Sequence, residues 1–167
     1  MTDLSRRALL GLAAAAFSTQ AGAQAPFGSF GNVAVDVSEL RAKGLGPYAD
    51  FVQAALLSET RRLFADRLGG GPTLVVRITG ISLNSYAGSG VGGRSSGGRG
   101  GAGDNDYLEG EALIVGPGRQ ILARHPQLSA LPASTGGSPY DPLSEQKRTA
   151  ALAYHYAWWL RRALVGA

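Results

Sequence analysis

The chain has 167 residues, of which 25 are glycine and none is cysteine, and its formal net charge is +4. This length is typical of one domain whose core is large enough to be stable alone. Without cysteine, the chain has no disulfide scaffold, thiolate zinc site, iron–sulfur cluster or cysteine nucleophile. A net charge this small does not by itself indicate a nucleic-acid partner.

Residues 1–23 have the pattern of an export signal. Arg6 and Arg7 precede an apolar run over residues 8–17, and Ala21-Gly22-Ala23 offers a small-x-small cleavage site. Ten apolar residues are too few for a membrane-spanning helix, which needs about 20. The arginine pair resembles the twin-arginine export motif, while a general secretory signal stays open. We expect a periplasmic or secreted protein of a Gram-negative bacterium.

The first half of the domain has the pattern of a strand, a helix and a second strand. After a flexible lead-in over residues 24–31, valine alternates with small or polar residues over 32–37, which predicts a strand. Apolar side chains recur at helical spacing over 48–68, and Gly69-Gly70-Gly71-Pro72 is expected to end that helix. In the second predicted strand, residues 73–83, the alternation changes phase after Gly80, which indicates a bulge.

The second half is predicted to hold two more strands and a helix. Nine of the 21 residues over 84–104 are glycine, which favours a flexible, disordered hairpin loop. A third strand is predicted over 107–115, followed by a tight turn over 116–119. A fourth strand follows from Gln120 to about His125 or Leu128, with Pro126 closing or kinking it. Asp141-Pro142 is expected to begin the last helix, which runs to about Leu164.

These elements predict an α+β fold with the order β-α-β-β-β-α. A three- to four-stranded, mostly antiparallel sheet with two helices on one face would bury the apolar stripe of each helix. We therefore expect a two-layer sandwich that forms a single domain over residues 32–165.

Two glycine-rich patterns lack the context that nucleotide or nucleic-acid binding requires. Residues 88–93 fit G-x-G-x-x-G, but more glycine follows in place of the helix that would hold a pyrophosphate. Arg94 and Arg99 lie among glycines as in RGG segments, but Tyr86 is the one aromatic residue nearby. We predict no nucleic-acid partner and no cofactor.

The densest acidic stretch precedes and enters the third strand. It contains Asp104, Asp106, Glu109 and Glu111, whose oxygens would suit a divalent cation such as Ca²⁺, although the spacing matches no EF-hand loop. A solvated strand face with aspartates at the loop end is the simpler interpretation. A divalent-metal or small-ligand site stays open as an alternative, and a hydrolase using two of these carboxylates is a third. No serine nucleophile motif is present, so we interpret His125 and His155 as structural.

The last helix holds the most unusual segment, with both tryptophans of the chain and two tyrosines within six residues. Its candidate partner-binding residues are Tyr154, Trp158, Trp159, Arg161 and Arg162. Helical spacing spreads the aromatic side chains over two stripes, which together are wider than one sheet face covers. Either they form a large aromatic core, or one stripe docks a protein partner or lies at a membrane surface. Polar and charged residues interrupt the helix too early for it to be a transmembrane segment.

Tyr140-Asp141-Pro142, followed by Glu145, stands ahead of the last predicted helix. With this motif, the layout resembles small periplasmic accessory proteins of Gram-negative envelopes, and in particular the lipopolysaccharide-assembly lipoprotein family. The chain departs from that family in lacking the lipidated cysteine, so anchoring in that manner does not apply. The resemblance implies a non-catalytic assembly or partner-binding role. Our leading expectation is an exported, non-enzymatic accessory protein that binds an envelope partner.

Overall fold

A computed structural model describes residues 28–84, 105–138 and 140–166. The strands are β1 (Phe30–Asp36), β2 (Leu68–Ser82), β3 (Asn105–Val115) and β4 (Ile121–Pro132), and the helices are α1 (Ser38–Ala42), α2 (Gly46–Leu63) and α3 (Ser144–Val165). The predicted export signal, most of the predicted lead-in and residues 85–104 of the predicted glycine-rich loop lie outside the described residues.

The strands form one mixed sheet in the order β1-β2-β3-β4. β1 pairs with β2 in parallel, with Val35 opposite Val76, and the other two pairings are antiparallel. Because parallel neighbours need a crossover connection, the chain passes through α2 between β1 and β2. The predicted α+β class and two-layer arrangement are confirmed, with α1 as a short additional helix.

The core lies between the sheet and the helix pair α2–α3. Alternate residues of β2 and β3, such as Val76 and Ala112, are buried against Leu56 of α2 and Leu160 of α3. The other face of the sheet carries a row of ion pairs that joins Asp36, Arg77, Glu111 and Arg124 across the strands. The register shift between Ile78 and Gly80 confirms the predicted bulge.

The glycine run after α2 is part of a strand, whereas we predicted that it would end the helix. α2 ends at Leu63, and β2 already begins at Leu68, so that it includes residues 69–72. Gly71 has a φ of +105°, and a Cβ at Gly31 would lie 2.7 Å from the Gly71 carbonyl oxygen. The two backbones therefore approach closely enough for β1 to pair with β2 because neither position carries a side chain.

The fourth strand is longer than predicted, since Pro126 does not end it. β4 continues to Pro132, and Pro126 pairs with Glu111 of β3. Proline is tolerated because β4 is an edge strand, where the missing N–H can face away from the neighbouring strand.

α3 begins at Ser144, two residues after Pro142, the predicted first helical residue. The Asp141 carboxylate accepts a hydrogen bond from the Leu143 N–H at 2.9 Å and lies 2.5 Å from the Lys147 ammonium nitrogen. Asp141 therefore stabilises the turn that leads into the helix and, through Lys147, also contacts the first helical turn.

Candidate partner-binding site

The C-terminal half of α3 presents large aromatic side chains to solvent. Tyr154 is 46% exposed, Trp158 37% and Trp159 44%, whereas Tyr156 and Leu160 are fully buried. The core-facing stripe of the helix is thus filled without the two tryptophans. We call Tyr154, Trp158, Trp159 and Arg162 the α3 aromatic patch.

Arg162 lies over both indole rings of the patch. The Trp158 and Trp159 rings meet edge to face with their centroids 4.9 Å apart. The Arg162 guanidinium carbon is 5.7 Å from the Trp158 centroid and 5.5 Å from that of Trp159, within the range of a cation–π interaction. No carboxylate in the described part of the chain forms an ion pair with Arg162. Its guanidinium is therefore positioned by the two aromatic rings.

Arg161, the other predicted binding arginine, points toward α2. Its guanidinium donates to the Leu63 carbonyl oxygen at 2.7 Å and to both oxygens of Asp66 at 2.7 and 3.0 Å. The hydrogen bonds from Arg161 lower the pKa of the Asp66 carboxyl below its usual value. The structure thus places Arg161 as a link between the two helices, beside the patch.

Two further residues border the patch that the sequence did not single out for binding. The Arg62 guanidinium lies 5.6 Å from the centroid of Tyr154 and also pairs with Glu59 at 2.5 Å. His155 lies beneath Trp159, whose indole N–H donates to the imidazole Nε2 at 2.9 Å. No sequence pattern pointed to Arg62, because its position beside Tyr154 depends on how α2 packs against α3.

Two surface hollows adjoin the tryptophans. One, of about 160 Å³, lies at the end of α3 and is lined by Trp158, Arg161, Arg162 and Gly166. The other, of about 320 Å³, lies between α3 and β4, where Trp159 and His155 face His125 and Leu128. The two hollows make the surface concave on both sides of the tryptophans, and side chains of a partner can insert there.

The structure does not bring the acidic candidates together. Asp106 is buried on the helix side of the sheet, where Arg148 pairs with both of its carboxylate oxygens, whereas Glu109 is exposed on the other face. Glu111 pairs with Arg77 and Arg124, and Asp104 lies outside the described residues. Within residues 28–84, 105–138 and 140–166, no three histidine or acidic side chains are grouped so as to hold a metal ion.

The burial of Asp106 follows from an alternation that was already visible in the sequence. Asp106 is two residues before Leu108, so in a strand both side chains lie on the same, core-facing side. We interpreted Asp106 as an aspartate at a loop end, but β3 begins at Asn105, two residues before the predicted start of the strand, and so includes Asp106.

The chain matches no family model, no curated protein and no solved structure. Among the described helices, none has the length and apolar character needed to cross a membrane. The geometry of the α3 aromatic patch is therefore the main basis for a functional proposal.

Proposed function

We propose that this protein is an exported, non-enzymatic accessory protein that binds an envelope partner through the α3 aromatic patch. One observation carries the proposal: the indoles of Trp158 and Trp159, each more than a third exposed, hold Arg162 between them, and exposed Tyr154 lies one turn before Trp158 on the same helix. Tyrosine, tryptophan and arginine are the side chains most enriched at the energetic centres of protein interfaces.

The chemistry of the patch favours a protein partner that presents a carboxylate among apolar groups. Arg162 would receive the carboxylate, and the indole edges would cover the apolar neighbours. An anionic membrane surface fits less well, because recognition of such surfaces typically uses clusters of about 4–8 basic residues. Here Arg62 and Arg161 are already paired with Glu59 and Asp66.

The β4 edge of the sheet is a less suitable docking place than the helix face. A partner strand added to β4 would need its outward N–H groups. Pro126 and Pro132 lie six residues apart in β4, so they share the same side of the strand, and neither has an N–H to donate. The β4 edge is therefore protected against strand addition.

Site-specific photo-crosslinking in the native envelope tests the proposal. A photoreactive amino acid replaces Trp158 in the full chain, and a matched one replaces Tyr140, which is 93% exposed but outside the patch. We expect a discrete protein adduct from position 158 that position 140 does not give. The adduct should be lost with Trp159→Ala and kept with Leu128→Ala, which removes an exposed apolar side chain from β4.

The same experiment has outcomes that would contradict the proposal. Identical adducts from positions 158 and 140 would show that crosslinking reflects exposure alone. Adducts to lipid rather than protein at position 158 would assign the patch to a membrane surface.

A further inference from the structure

We propose that His155 is an acid-sensitive lock on the α3 aromatic patch: its neutral imidazole holds Trp159 in place, and protonation releases that indole. The release of Trp159 is a property of the chain alone. Its consequence, weaker docking at acidic pH, rests on the function proposed above.

The hydrogen bonds of His155 define its protonation state. An indole N–H only donates, so the Nε2 atom that receives it from Trp159 at 2.9 Å carries no hydrogen. The hydrogen of the neutral ring is then on Nδ1, where it is donated to the Ser129 hydroxyl oxygen at 3.1 Å. Ser129 is 1% exposed in β4, so the imidazole is anchored to the sheet on one side and supports Trp159 on the other.

Protonation of this ring is incompatible with the observed contact. A hydrogen on Nε2 would face the indole N–H, and two donors at 2.9 Å do not form a bond. His155 is held by buried Ser129, whereas Trp159 is 44% exposed, so the indole is the group that is free to move. Movement of Trp159 would break its edge-to-face contact with Trp158 and its contact with Arg162.

The surroundings of His155 disfavour the charged form. The hollow beside it is lined from β4 by His125 and Gln127 and from α3 by Trp159, and no carboxylate among the described residues lines it. Arg162, a cation, lies over the same indole. Burial lowers the pKa of His155 below its ordinary value of 6.5, so the lock is closed at neutral pH and opens on acidification.

The test monitors the side chain of Trp159 alone, in the protein purified after export and without any partner. Trp158→Phe leaves Trp159 as the only tryptophan, since the chain has two. The NMR resonance of its indole N–H and its fluorescence anisotropy are recorded between about pH 8 and pH 4. We expect one transition, with a midpoint below 6.5, in which the indole resonance moves toward that of a free indole and the anisotropy falls.

Two histidine variants assign the transition. The chain has only two histidines, so His125→Gln is the matched control and should keep it. His155→Gln should abolish it and keep the neutral-pH state, because the amide oxygen accepts the indole N–H at any pH. Persistence of the transition in His155→Gln, or its loss only in His125→Gln, would overturn the proposal.

The docking consequence is measured separately, by crosslinking from position 163, an exposed alanine beside His155 and Trp159, in the chain that retains the whole α3 aromatic patch. We expect the yield of the protein adduct to fall with acidification and to become independent of pH in His155→Gln. An indole transition without any protein adduct would overturn the proposed function and support the lock. An adduct whose yield is equally pH-dependent in His155→Gln would overturn the control of docking by His155 and support the proposed function.

Discussion

The two halves of α3 differ in where their arginines lie: one arginine is buried in the core and the other is exposed beside aromatic rings. In the N-terminal half, Arg148 is 3% exposed and its guanidinium pairs with the buried carboxylate of Asp106. In the C-terminal half, Arg162 lies at the surface over two exposed indoles, with no carboxylate partner in the described segments. The first arginine is part of the architecture, whereas the second is the one that we propose for binding.

The buried pair joins three elements of the fold. Arg148 donates to the Asp106 carboxylate and, at 2.8 Å, to the carbonyl oxygen of Asn84, which follows β2. The N–H of Asn84 in turn donates to Asp106 at 2.8 Å. The pair therefore fixes α3 to the facing ends of β2 and β3, and satisfies polar groups that would otherwise be buried alone.

The largest effect is expected from breaking this buried pair. Arg148→Ala leaves the Asp106 carboxylate buried without its cation, which costs about 3–5 kcal/mol of unfolding free energy. Urea denaturation measures the loss. Arg41→Ala, which removes an exposed ion pair with Asp50, is the matched control and should cost less than about 1 kcal/mol. Equal losses in the two variants would mean that Arg148 has no special structural role.

At the centre of α3, we expect one substitution to raise the unfolding free energy, by a smaller amount than Arg148→Ala lowers it. The Tyr156 hydroxyl is buried without a hydrogen-bond partner among the described residues, and burial raises its pKa. Tyr156→Phe removes this unsatisfied group and should raise the unfolding free energy by about 1 kcal/mol. The contrast is Tyr48, whose hydroxyl lies 2.6 Å from that of Thr149 on α3. Tyr48→Phe should lower stability by about 1 kcal/mol, and the same sign in both variants would contradict this account.

Local patterns predicted most of the fold, while long-range contacts decided what was missed. The strand with alternating valine was predicted correctly, and the bulge was predicted close to its place between Ile78 and Gly80, because residue spacing alone encodes both. The strand role of the glycine run depends on pairing with β1, about 40 residues earlier in the chain. The continuation of β4 past Pro126 likewise depends on its place at the sheet edge.

The candidate site shows the same limit. The composition of α3 identified the segment, but the choice between an aromatic core and an exposed patch required the packing of Tyr156 and Leu160. Arg161 was grouped with Arg162 because they are neighbours in sequence. The structure separates them, since Arg161 pairs with Asp66 just after α2 and Arg162 lies over the indoles.

The smallest effect on stability, with a large effect on binding, is expected at Arg162. Arg162→Gln removes the charge from a surface position and should change the unfolding free energy by less than about 0.5 kcal/mol. If the guanidinium receives a carboxylate of the partner, the yield of protein adduct from position 158 should fall by roughly tenfold or more. Arg124→Gln removes a charge from the opposite face of the sheet and should leave that yield unchanged. A large loss of stability in Arg162→Gln would place this arginine with Arg148 among the structural residues, and the contrast between the two halves of α3 would not hold.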